Sequence, residues 1–220
     1  MTKRMIAIDG PAGAGKSTVA KALAKKLGYL YIDTGAMYRA VAYAAIQRGI
    51  SFEDAAALTE LAGTVKIDMK MQDGIYHVYL DGKDVSLAIR TPEVGAAASP
   101  VSAVSGVRRH LVAQQQRLAQ GGSVVMDGRD IGTMVLPQAD CKIFLTASLE
   151  ERAKRRYLEL QEKGIDTSLA QVKAEMAERD ERDSHRADSP LRQAEDAVLL
   201  DNTQLSLAEV LAKLEALVKE

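Results

Sequence analysis

Large aromatic side chains, cysteine and histidine are scarce in this sequence of 220 residues. It contains no tryptophan, two phenylalanines, one cysteine and three histidines. A core with so few large rings has to be built mainly from Ala, Val, Leu and Ile. The single cysteine, Cys141, excludes an internal disulfide, and its apolar neighbours predict a buried strand residue rather than a reactive thiol. The histidines lie far apart in the sequence, so no metal-ligand spacing is present and we assign them no chemistry.

An excess of charge of one sign and a long apolar run are also missing. The formal net charge is −1 at pH 7, so no overall field favours nucleic acid or an acidic membrane as a partner. No N-terminal stretch has the pattern of a signal peptide, and none is apolar for long enough to span a bilayer. We therefore expect a cytoplasmic protein without nucleic-acid or membrane partners. Because no apolar surface stripe calls for a partner chain, we also expect a monomer.

The most informative motif is a complete G-x-x-x-x-G-K-S phosphate loop near the start of the chain. It consists of Gly10, Pro11, Ala12, Gly13, Ala14, Gly15, Lys16 and Ser17, and Thr18 follows it. The glycines let backbone N–H groups turn toward phosphate oxygens, Lys16 reaches the β- and γ-phosphates, and the Ser17 hydroxyl is placed for Mg²⁺. An apolar run at 4–8 precedes the loop, and a helix expected at 16–27 points its positive dipole end at the phosphates. The sequence therefore predicts binding of a nucleoside triphosphate.

The rest of the chain alternates short apolar runs with helical patterns, which predicts an α/β fold with parallel strands covered by helices. Strands are expected at 4–8, 29–33, 123–127, 141–146 and 197–201. Helices are expected at 16–27, 35–48, 53–62, 105–120, 148–163, 168–186 and 206–218. One segment, 65–85, instead alternates apolar and polar side chains around Asp-Gly turns at 73–74 and 81–82, and this pattern predicts an inserted antiparallel meander.

Two polar motifs follow expected strands, and the carboxyl ends of strands are where ligands collect in open α/β sheets. Thr34 lies at the expected N-cap of the helix from 35, and Arg39 could reach a ligand from that helix. After the third strand, Asp127 is a candidate for orienting Mg²⁺ through water, and Arg129 and Asp130 would face a substrate. The alternative for this second motif is a simple Asp-Gly turn with a surface ion pair.

Arginines are concentrated between residues 150 and 192, where acidic residues nearly cancel their charge. One interpretation is a solvated helix stabilised by i,i+4 salt bridges. The other is a phosphate-binding face, because Arg179, Arg182 and Arg186 recur at helical spacing. The sequence has neither a guanine-reading Asn-Lys-x-Asp motif nor a distinct covalent nucleophile. This favours direct phosphoryl transfer, in which positioning and charge neutralisation do most of the catalysis.

Six segments occur in one order along the chain. They are G-P-A-G-A-G-K-S-T at 10–18, D-T-G-A-M-Y-R at 33–39, I-R-T-P-E-V at 89–94, S-P-V-S-A-V-S-G-V-R at 99–108, D-G-R-D-I-G at 127–132 and R-D-x-x-D-x-x-R at 179–186. With these segments the chain resembles the bacterial cytidylate kinase family over essentially its whole length. The resemblance implies a P-loop nucleoside monophosphate kinase fold with a five-stranded parallel sheet. It also implies phosphorylation of CMP and dCMP by ATP with Mg²⁺.

The resemblance also implies roles for individual residues. Gly10 to Thr18 would bind the ATP phosphates, and the catalytic residues would be Lys16, Arg129, Arg179 and Arg186. Arg39 and Arg129 would clamp the CMP phosphate; the cytosine side would be formed by Ser99, Arg108 and Asp130, with Thr34 nearby. Asp183 and Arg179 would meet the ribose, Arg186 would approach on closure of a lid, and Ser17 with Asp127 would hold the metal. Thr34 stands where serine is common in the family, which retains the hydroxyl and adds a methyl group.

The implied division is a core of about 1–62, 90–150 and 190–220, a monophosphate-binding insertion of about 63–89 and a lid of about 151–189. Two other functions stay open at this point. One is a related P-loop kinase that acts on UMP, AMP or another small acceptor, which the meander and the D-G-R-D segment disfavour. The other is a switch or binding module that hydrolyses ATP slowly without an acceptor.

Overall fold

The computed structural model describes residues 3–72 and 75–219 and shows an α/β protein. The strands are β1 (Met5–Asp9), β2 (Leu30–Asp33), β3 (Ile67–Gln72), β4 (Ile75–Leu80), β5 (Lys83–Asp84), β6 (Val124–Gly128), β7 (Cys141–Thr146) and β8 (Val198–Asp201). The helices are α1 (Lys16–Leu27), α2 (Thr34–Gln47), α3 (Ala55–Thr64), α4 (Pro92–Ala103), α5 (Ser105–Ala119), α6 (Leu149–Glu162), α7 (Leu169–Ser184) and α8 (Leu207–Lys219). A 3-10 turn (Ala88–Arg90) and a π-helical turn (Ile131–Val135) complete the described elements. None of the helices in this part of the chain is long and apolar enough to cross a membrane.

The larger sheet has five strands in the order β2-β6-β1-β7-β8. β1 pairs in parallel with β7, with Ile6 opposite Cys141, and β7 pairs in parallel with β8, with Ile143 opposite Val198. The central position of β1 explains why Ile6 and its two successors are fully buried. The predicted parallel sheet, with all five of its strands, is confirmed.

The smaller sheet is the predicted antiparallel meander. β3 pairs with β4 from Ile67 opposite Leu80 to Gln72 opposite Ile75, and β4 pairs with β5. Asp81 has φ 50° and Gly82 has φ 81°, as a two-residue hairpin turn of the Asp-Gly type requires. The other expected Asp-Gly turn, at 73–74, lies outside the described residues.

The chain forms two compact units. The first contains residues 29–124, and the second contains residues 4–28 and 125–219. In the first unit, the alanine-rich helix α2 is buried on most of its positions. In the second unit, α1 buries an apolar face that includes Val19 and Leu23, and it ends at Gly28 in the left-handed conformation. The division into core, insertion and lid stays a prediction.

One helix is absent from the expected elements, and one expectation was only partly correct. The segment Pro92–Ala103 is α4, with Pro92 in its first turn and Pro100 inside it. The Thr91 side chain caps α4 by accepting a hydrogen bond from the N–H of Val94, and proline is tolerated in a first turn. Cys141 lies in a strand as expected, but it is the first residue of β7 and only half-buried.

Candidate active site

The phosphate loop connects β1 to α1, as the sequence predicts. Gly13 and Gly15 have φ of 73° and 83°, a left-handed conformation that glycine adopts without steric cost. Gly15 is the N-cap of α1, so the loop ends where the helix exposes its first N–H groups. These donors and the helix dipole make this end of α1 suited to an anion.

Gly10 is the loop position least able to accept a side chain, and this makes a test of the loop geometry. Its φ is 147°, and a Cβ atom would lie 1.9 Å from the backbone oxygen of Leu145 on β7. We expect Gly10→Ala to lower the free energy of unfolding by about 3 kcal/mol or more, measured by urea unfolding. Gly28→Ala is the matched control, because Gly28 also has positive φ (68°) but open space around it. It should cost about 1 kcal/mol, and equal costs for the two variants would contradict the close approach.

Lys16 is folded back onto the loop and is almost completely buried. Its Nζ donates a hydrogen bond of 2.7 Å to the carbonyl oxygen of Pro11. Burial lowers the pKa of Lys16 well below 10.5, and the charge of Arg129 lowers it further, whereas Asp127 and Asp9 oppose the shift. An anionic ligand would restore the favourable environment for the ammonium group, since opposite charge favours the charged form. Lys16 is therefore poised to gain from binding phosphate.

Ser17 and Asp127 are brought together, although they lie in different motifs. The Ser17 hydroxyl donates to the Asp127 carboxylate at 2.9 Å, and Asp127 is buried at the carboxyl end of β6. A hydroxyl and a carboxylate oxygen are the hard ligands that Mg²⁺ accepts while it keeps several waters. The donor set thus fits the predicted metal, and the pairing of these two residues supports assigning it to them.

Asp9 is a buried carboxylate of the site that sequence analysis missed. It ends β1, and its two oxygens accept hydrogen bonds of 2.8 and 2.7 Å from the N–H groups of Ile131 and Gly132. These residues directly follow Asp130, which is also buried. Asp9 thereby fixes the backbone immediately after the D-G-R-D segment. Burial raises its pKa to about 6, and the nearby charge of Asp130 adds to the rise.

The raised pKa of Asp9 predicts a pH-dependent loss of stability in the ligand-free protein. Its folded-state pKa is about 6 and its ordinary value is 3.8, so the native state binds more protons between these values. This contribution, about 3 kcal/mol, is fully present below the unfolded pKa and is lost as the pH rises through the folded pKa. Urea unfolding at a series of pH values should show the parent losing stability relative to Asp9→Asn across this window. Parallel pH profiles of the two proteins would contradict the raised pKa.

Asp183 organises two of the predicted catalytic arginines. Its Oδ2 accepts from Arg129 Nε at 2.9 Å, and its Oδ1 lies 3.5 Å from a terminal nitrogen of Arg186. Burial acts to raise the pKa of Asp183, but the charges of Arg129, Arg186 and Arg179 outweigh it and lower the pKa below 3.8. Asp183 is therefore an anion that holds the guanidinium groups in place.

The three arginines of the predicted phosphate-binding face lie in different surroundings. Arg179 acts electrostatically on both Lys16 and Asp183, as a member of the site should. Arg182 instead has 54% of its side chain exposed and lies near Glu178. Arg186 follows the end of α7 at Ser184, and it donates to the carbonyl oxygen of Ser189. The turn after the helix, rather than helical spacing, places Arg186.

In the first unit, the capping role expected for Thr34 belongs to Asp33. The Asp33 carboxylate accepts from the N–H of Ala36 at 2.8 Å, while Thr34 is the first residue of α2 and is buried. The correction has a simple cause, since a carboxylate one residue earlier reaches the same donors. Asp33 also forms an ion pair of 3.0 Å with Arg39, whose direction is thereby set.

Ser99 and Arg108 are connected through Ser102, which sequence analysis did not single out. Ser99 lies in α4, and its carbonyl oxygen accepts from the Ser102 hydroxyl at 2.8 Å. Arg108 is 3% exposed, donates to the carbonyl oxygen of Ser102 at 3.2 Å, and lies over the ring of Tyr38 at 5.3 Å. A guanidinium held by a carbonyl and an aromatic face has a fixed direction.

The parallel sheet, the phosphate loop and the arginines gathered around Asp183 define the chain as a P-loop kinase. Two solved structures are similar to it in fold. A shikimate kinase from Bacteroides thetaiotaomicron aligns with a TM-score of 0.52 at 13% identity, over 100% of this chain and 100% of that chain. A shikimate kinase from Acinetobacter baumannii, in complex with shikimate, aligns with a TM-score of 0.50 at 16% identity, over 99% and 94%.

Sequence comparison defines the family. The model described as cytidylate kinase matches residues 6–220. Cytidylate kinases from Bacillus cereus (strain ATCC 10987 / NRS 248) and Bacillus thuringiensis (strain Al Hakam) are each 54% identical over 219 residues, 99% of this chain and 97% of theirs. The chain belongs to the cytidylate kinase family, a family of phosphotransferases. The resemblance drawn from the six segments is confirmed.

Proposed function

We propose that the chain transfers the γ-phosphoryl group of ATP to CMP and to dCMP, producing ADP and CDP or dCDP. The observation that carries the proposal is the position of Lys16, which lies in the phosphate loop within the field of Arg129 and Arg179. Two nucleotides that meet through their phosphates repel each other, and clustered cations offset that repulsion. Membership of the cytidylate kinase family supports CMP as the acceptor.

The transfer asks little covalent chemistry of the protein. An oxygen of the acceptor phosphate bonds to the γ-phosphorus while the bond from that phosphorus to the bridging oxygen of ADP breaks. The second pKa of a phosphate monoester is about 6, so the attacking oxygen is already ionised near neutral pH and needs no general base. The protein has to align the two phosphates, neutralise them and exclude water as a competing acceptor.

Each cation has a place in this scheme. Lys16 would exchange its hydrogen bond to the carbonyl oxygen of Pro11 for contacts with the ATP phosphates. Arg129 would donate from its two terminal nitrogens to the transferred γ-phosphoryl group or to the phosphate of CMP. Arg179 and Arg186 would complete the charge neutralisation from α7 and the turn after it. Mg²⁺, when bound beside Ser17 and Asp127, would supply further positive charge at the phosphate oxygens.

The assignment of base-side residues is part of the proposal. Cytosine offers an amino donor and the acceptors N3 and O2 on one edge. A carboxylate such as Asp130 matches the amino group, and a guanidinium such as Arg108 matches the acceptors. The contacts of Arg108 with the Ser102 carbonyl oxygen and the Tyr38 ring support Arg108 as a donor of fixed direction, and Ser99 lies on the same helix as Ser102. Arg39, oriented by Asp33, has the planar fork that suits a phosphate.

A coupled ADP-release assay tests the function directly. ATP and Mg²⁺ are supplied with CMP, dCMP, UMP, AMP or no acceptor in parallel wells. Strong turnover with CMP and dCMP alone is the expected result. A preference for UMP or AMP would retain the kinase and overturn the base-side assignments. ADP release that is the same without an acceptor would favour an ATP-hydrolysing switch. The expectations of a monomer and of a cytoplasmic location stay predictions.

A substitution at Asp183 can distinguish its proposed contact with the ribose from its contact with the arginines. Asp183→Asn should lower kcat/KM for both CMP and dCMP, because Arg129 and Arg186 lose their anionic partner. If Asp183 also binds the ribose 2′-hydroxyl, CMP should suffer about fivefold more than dCMP. The variant still accepts that hydrogen bond through its amide oxygen, and a hydrogen bond to a charged group is stronger than one to a neutral group by about 1 kcal/mol. Steady-state kinetics with both acceptors measures the ratio. Equal losses would remove the ribose role and leave only the positioning of the arginines.

A further inference from the structure

Side chains from two distant segments of the chain donate hydrogen bonds to backbone carbonyl oxygens of the phosphate loop. Asn202 Nδ2 donates a hydrogen bond of 2.8 Å to the carbonyl oxygen of Ala14, and a terminal nitrogen of Arg152 donates one of 3.0 Å to that of Ala12. Asn202 directly follows β8, and Arg152 lies in the first half of α6. The Asn202 hydrogen bond is neutral and joins residues 188 apart in the sequence. The Arg152 hydrogen bond is charge-assisted and joins residues 140 apart.

Holding a carbonyl also directs the next N–H group. In a trans peptide the C=O of one residue and the N–H of the next point in opposite directions. The described residues contain no cis peptide bond. Anchoring the oxygens of Ala12 and Ala14 therefore aims the N–H groups of Gly13 and Gly15 away from the anchors. Both glycines have positive φ and tolerate several conformations, so the loop needs such restraints to keep one orientation.

The Asn202 anchor is itself fixed in direction. Asn202 is 4% exposed, and its backbone N–H donates to the carbonyl oxygen of Thr146 at 2.8 Å. Arg155 donates to the side-chain oxygen of Asn202 at 3.0 Å and to its backbone oxygen at 3.1 Å. Because Arg155 can only donate, the amide oxygen must face it and the amide nitrogen must face Ala14.

The Arg152 anchor connects the loop to α7. Its Nε donates to the carbonyl oxygen of Ala147 at 2.9 Å, and the nitrogen that holds Ala12 also pairs with Asp180 at 2.6 Å. Ala12 packs against an apolar cluster of α6 and α7 that contains Met176. A Cβ atom on Gly13 would lie 2.6 Å from the terminal methyl carbon of Met176, so the loop fits closely against α7.

We propose that Asn202 and Arg152 are positioning residues of the phosphate loop, which aim the N–H groups of Gly15 and Gly13 at the phosphates of the bound nucleotide. Neither side chain needs to touch the nucleotide. The identity of that nucleotide as ATP or ADP rests on the proposed function. Preorganised donors bind phosphate without a cost for reorganisation, so losing an anchor should weaken nucleotide binding at the donor site.

The first test is Asn202→Asp, which has nearly the same shape and retains an acceptor for Arg155. It replaces the donor that faces the Ala14 oxygen with a second acceptor, so this contact becomes repulsive. Gln204→Glu is the matched control, since it makes the same change of amide to carboxylate at an exposed position two residues away. We expect the Kd for ADP, titrated directly without acceptor, to rise at least tenfold in Asn202→Asp and less than twofold in Gln204→Glu.

Kinetics and stability separate positioning from general structural damage. KM for ATP should rise in Asn202→Asp, while KM for CMP stays within about twofold of the parent. Arg152→Met should weaken ADP binding similarly, and Arg152→Lys should recover part of it, because lysine retains one donor and the charge. If Asn202→Asp does not fold, as judged by thermal unfolding, Asn202→Ser supplies the same ADP titration. ADP binding equal to that of Gln204→Glu in a folded variant would overturn the proposal. Failure of the parent to phosphorylate CMP would instead overturn the proposed function and leave the ADP titration meaningful.

Discussion

Replacing Lys16 by methionine is expected to lower kcat/KM for ATP by about 10²- to 10³-fold, the cost of removing one preorganised donor from a phosphoryl-transfer site. Lys16 is 6% exposed and lies in the field of Arg129 and Arg179, so its ammonium group is unfavourable until phosphates arrive. During the transfer the negative charge is spread over the equatorial oxygens of the γ-phosphoryl group, beside which Lys16 would lie. The loss should therefore appear in kcat as well as in KM for ATP.

The same change should not destabilise the ligand-free fold. Methionine fills a similar volume and removes a buried cation whose pKa burial already lowers. This offsets the lost hydrogen bond to the carbonyl oxygen of Pro11, so the free energy of unfolding should stay within about 1 kcal/mol of the parent. Lys25→Met is the matched control, because Lys25 lies in the last turn of the same helix and is exposed. It should leave kcat/KM within about twofold of the parent. A Lys16→Met enzyme that retains more than a tenth of parental activity would contradict the assigned role.

Replacing Arg129 by alanine is expected to lower kcat/KM for CMP by about 10²- to 10³-fold, with a smaller change in KM for ATP. Arg129 uses Nε for Asp183, which leaves the geometry of the outer fork suited to bidentate phosphate binding. Its removal deletes a charge on the reacting groups and also one of the partners of Asp183. The pKa of Asp183 should rise as a result, since that arginine is a leading cause of its lowered value.

Two comparisons make the Arg129 result specific. Arg129→Lys should recover only part of the activity, because an ammonium group retains the charge but not the planar fork. Arg182→Ala removes an arginine that is 54% exposed and lies near Glu178, so it should have little effect. Steady-state kinetics of the three variants, with thermal unfolding as the check on folding, measures the difference. A value for Arg129→Ala within twofold of the parent would refute the phosphate clamp.

The features that could be predicted from the sequence are those formed by residues that are adjacent in the chain. The phosphate loop was predicted in full because one strand, one loop and one helix follow one another from Met5 to Leu27. The meander was predicted because its strands are joined by short turns, and Asp81 with Gly82 forms one of them. Helix α4 was not predicted, because two prolines and small side chains obscure its pattern. The cap expected at Thr34 was wrong, because neighbouring Asp33 is the better cap.

The supporting residues were missed for a different reason. Asp9 bonds to Ile131 across 122 residues, and Asn202 bonds to Ala14 across 188. An isolated Asp or Asn in a sequence has no pattern that distinguishes a buried partner from a surface residue. Only burial and direction, which depend on the packed strands β1, β6, β7 and β8, make these side chains part of the site.

The sequence by itself thus determined the class of fold, the phosphate loop and its lysine, the polar residues at the end of β6, and the family. These features depend on local spacing, on glycine at positions of positive φ, and on apolar periodicity, all of which are present in a linear chain. Only the tertiary structure decided that Asp183 contacts both Arg129 and Arg186, and that Arg182 is exposed rather than part of this cluster. It also decided that Asn202 and Arg152 hydrogen-bond to the phosphate loop. Those outcomes depend on which distant groups share one low-dielectric space, because there an unpaired charge or a missing hydrogen bond is costly.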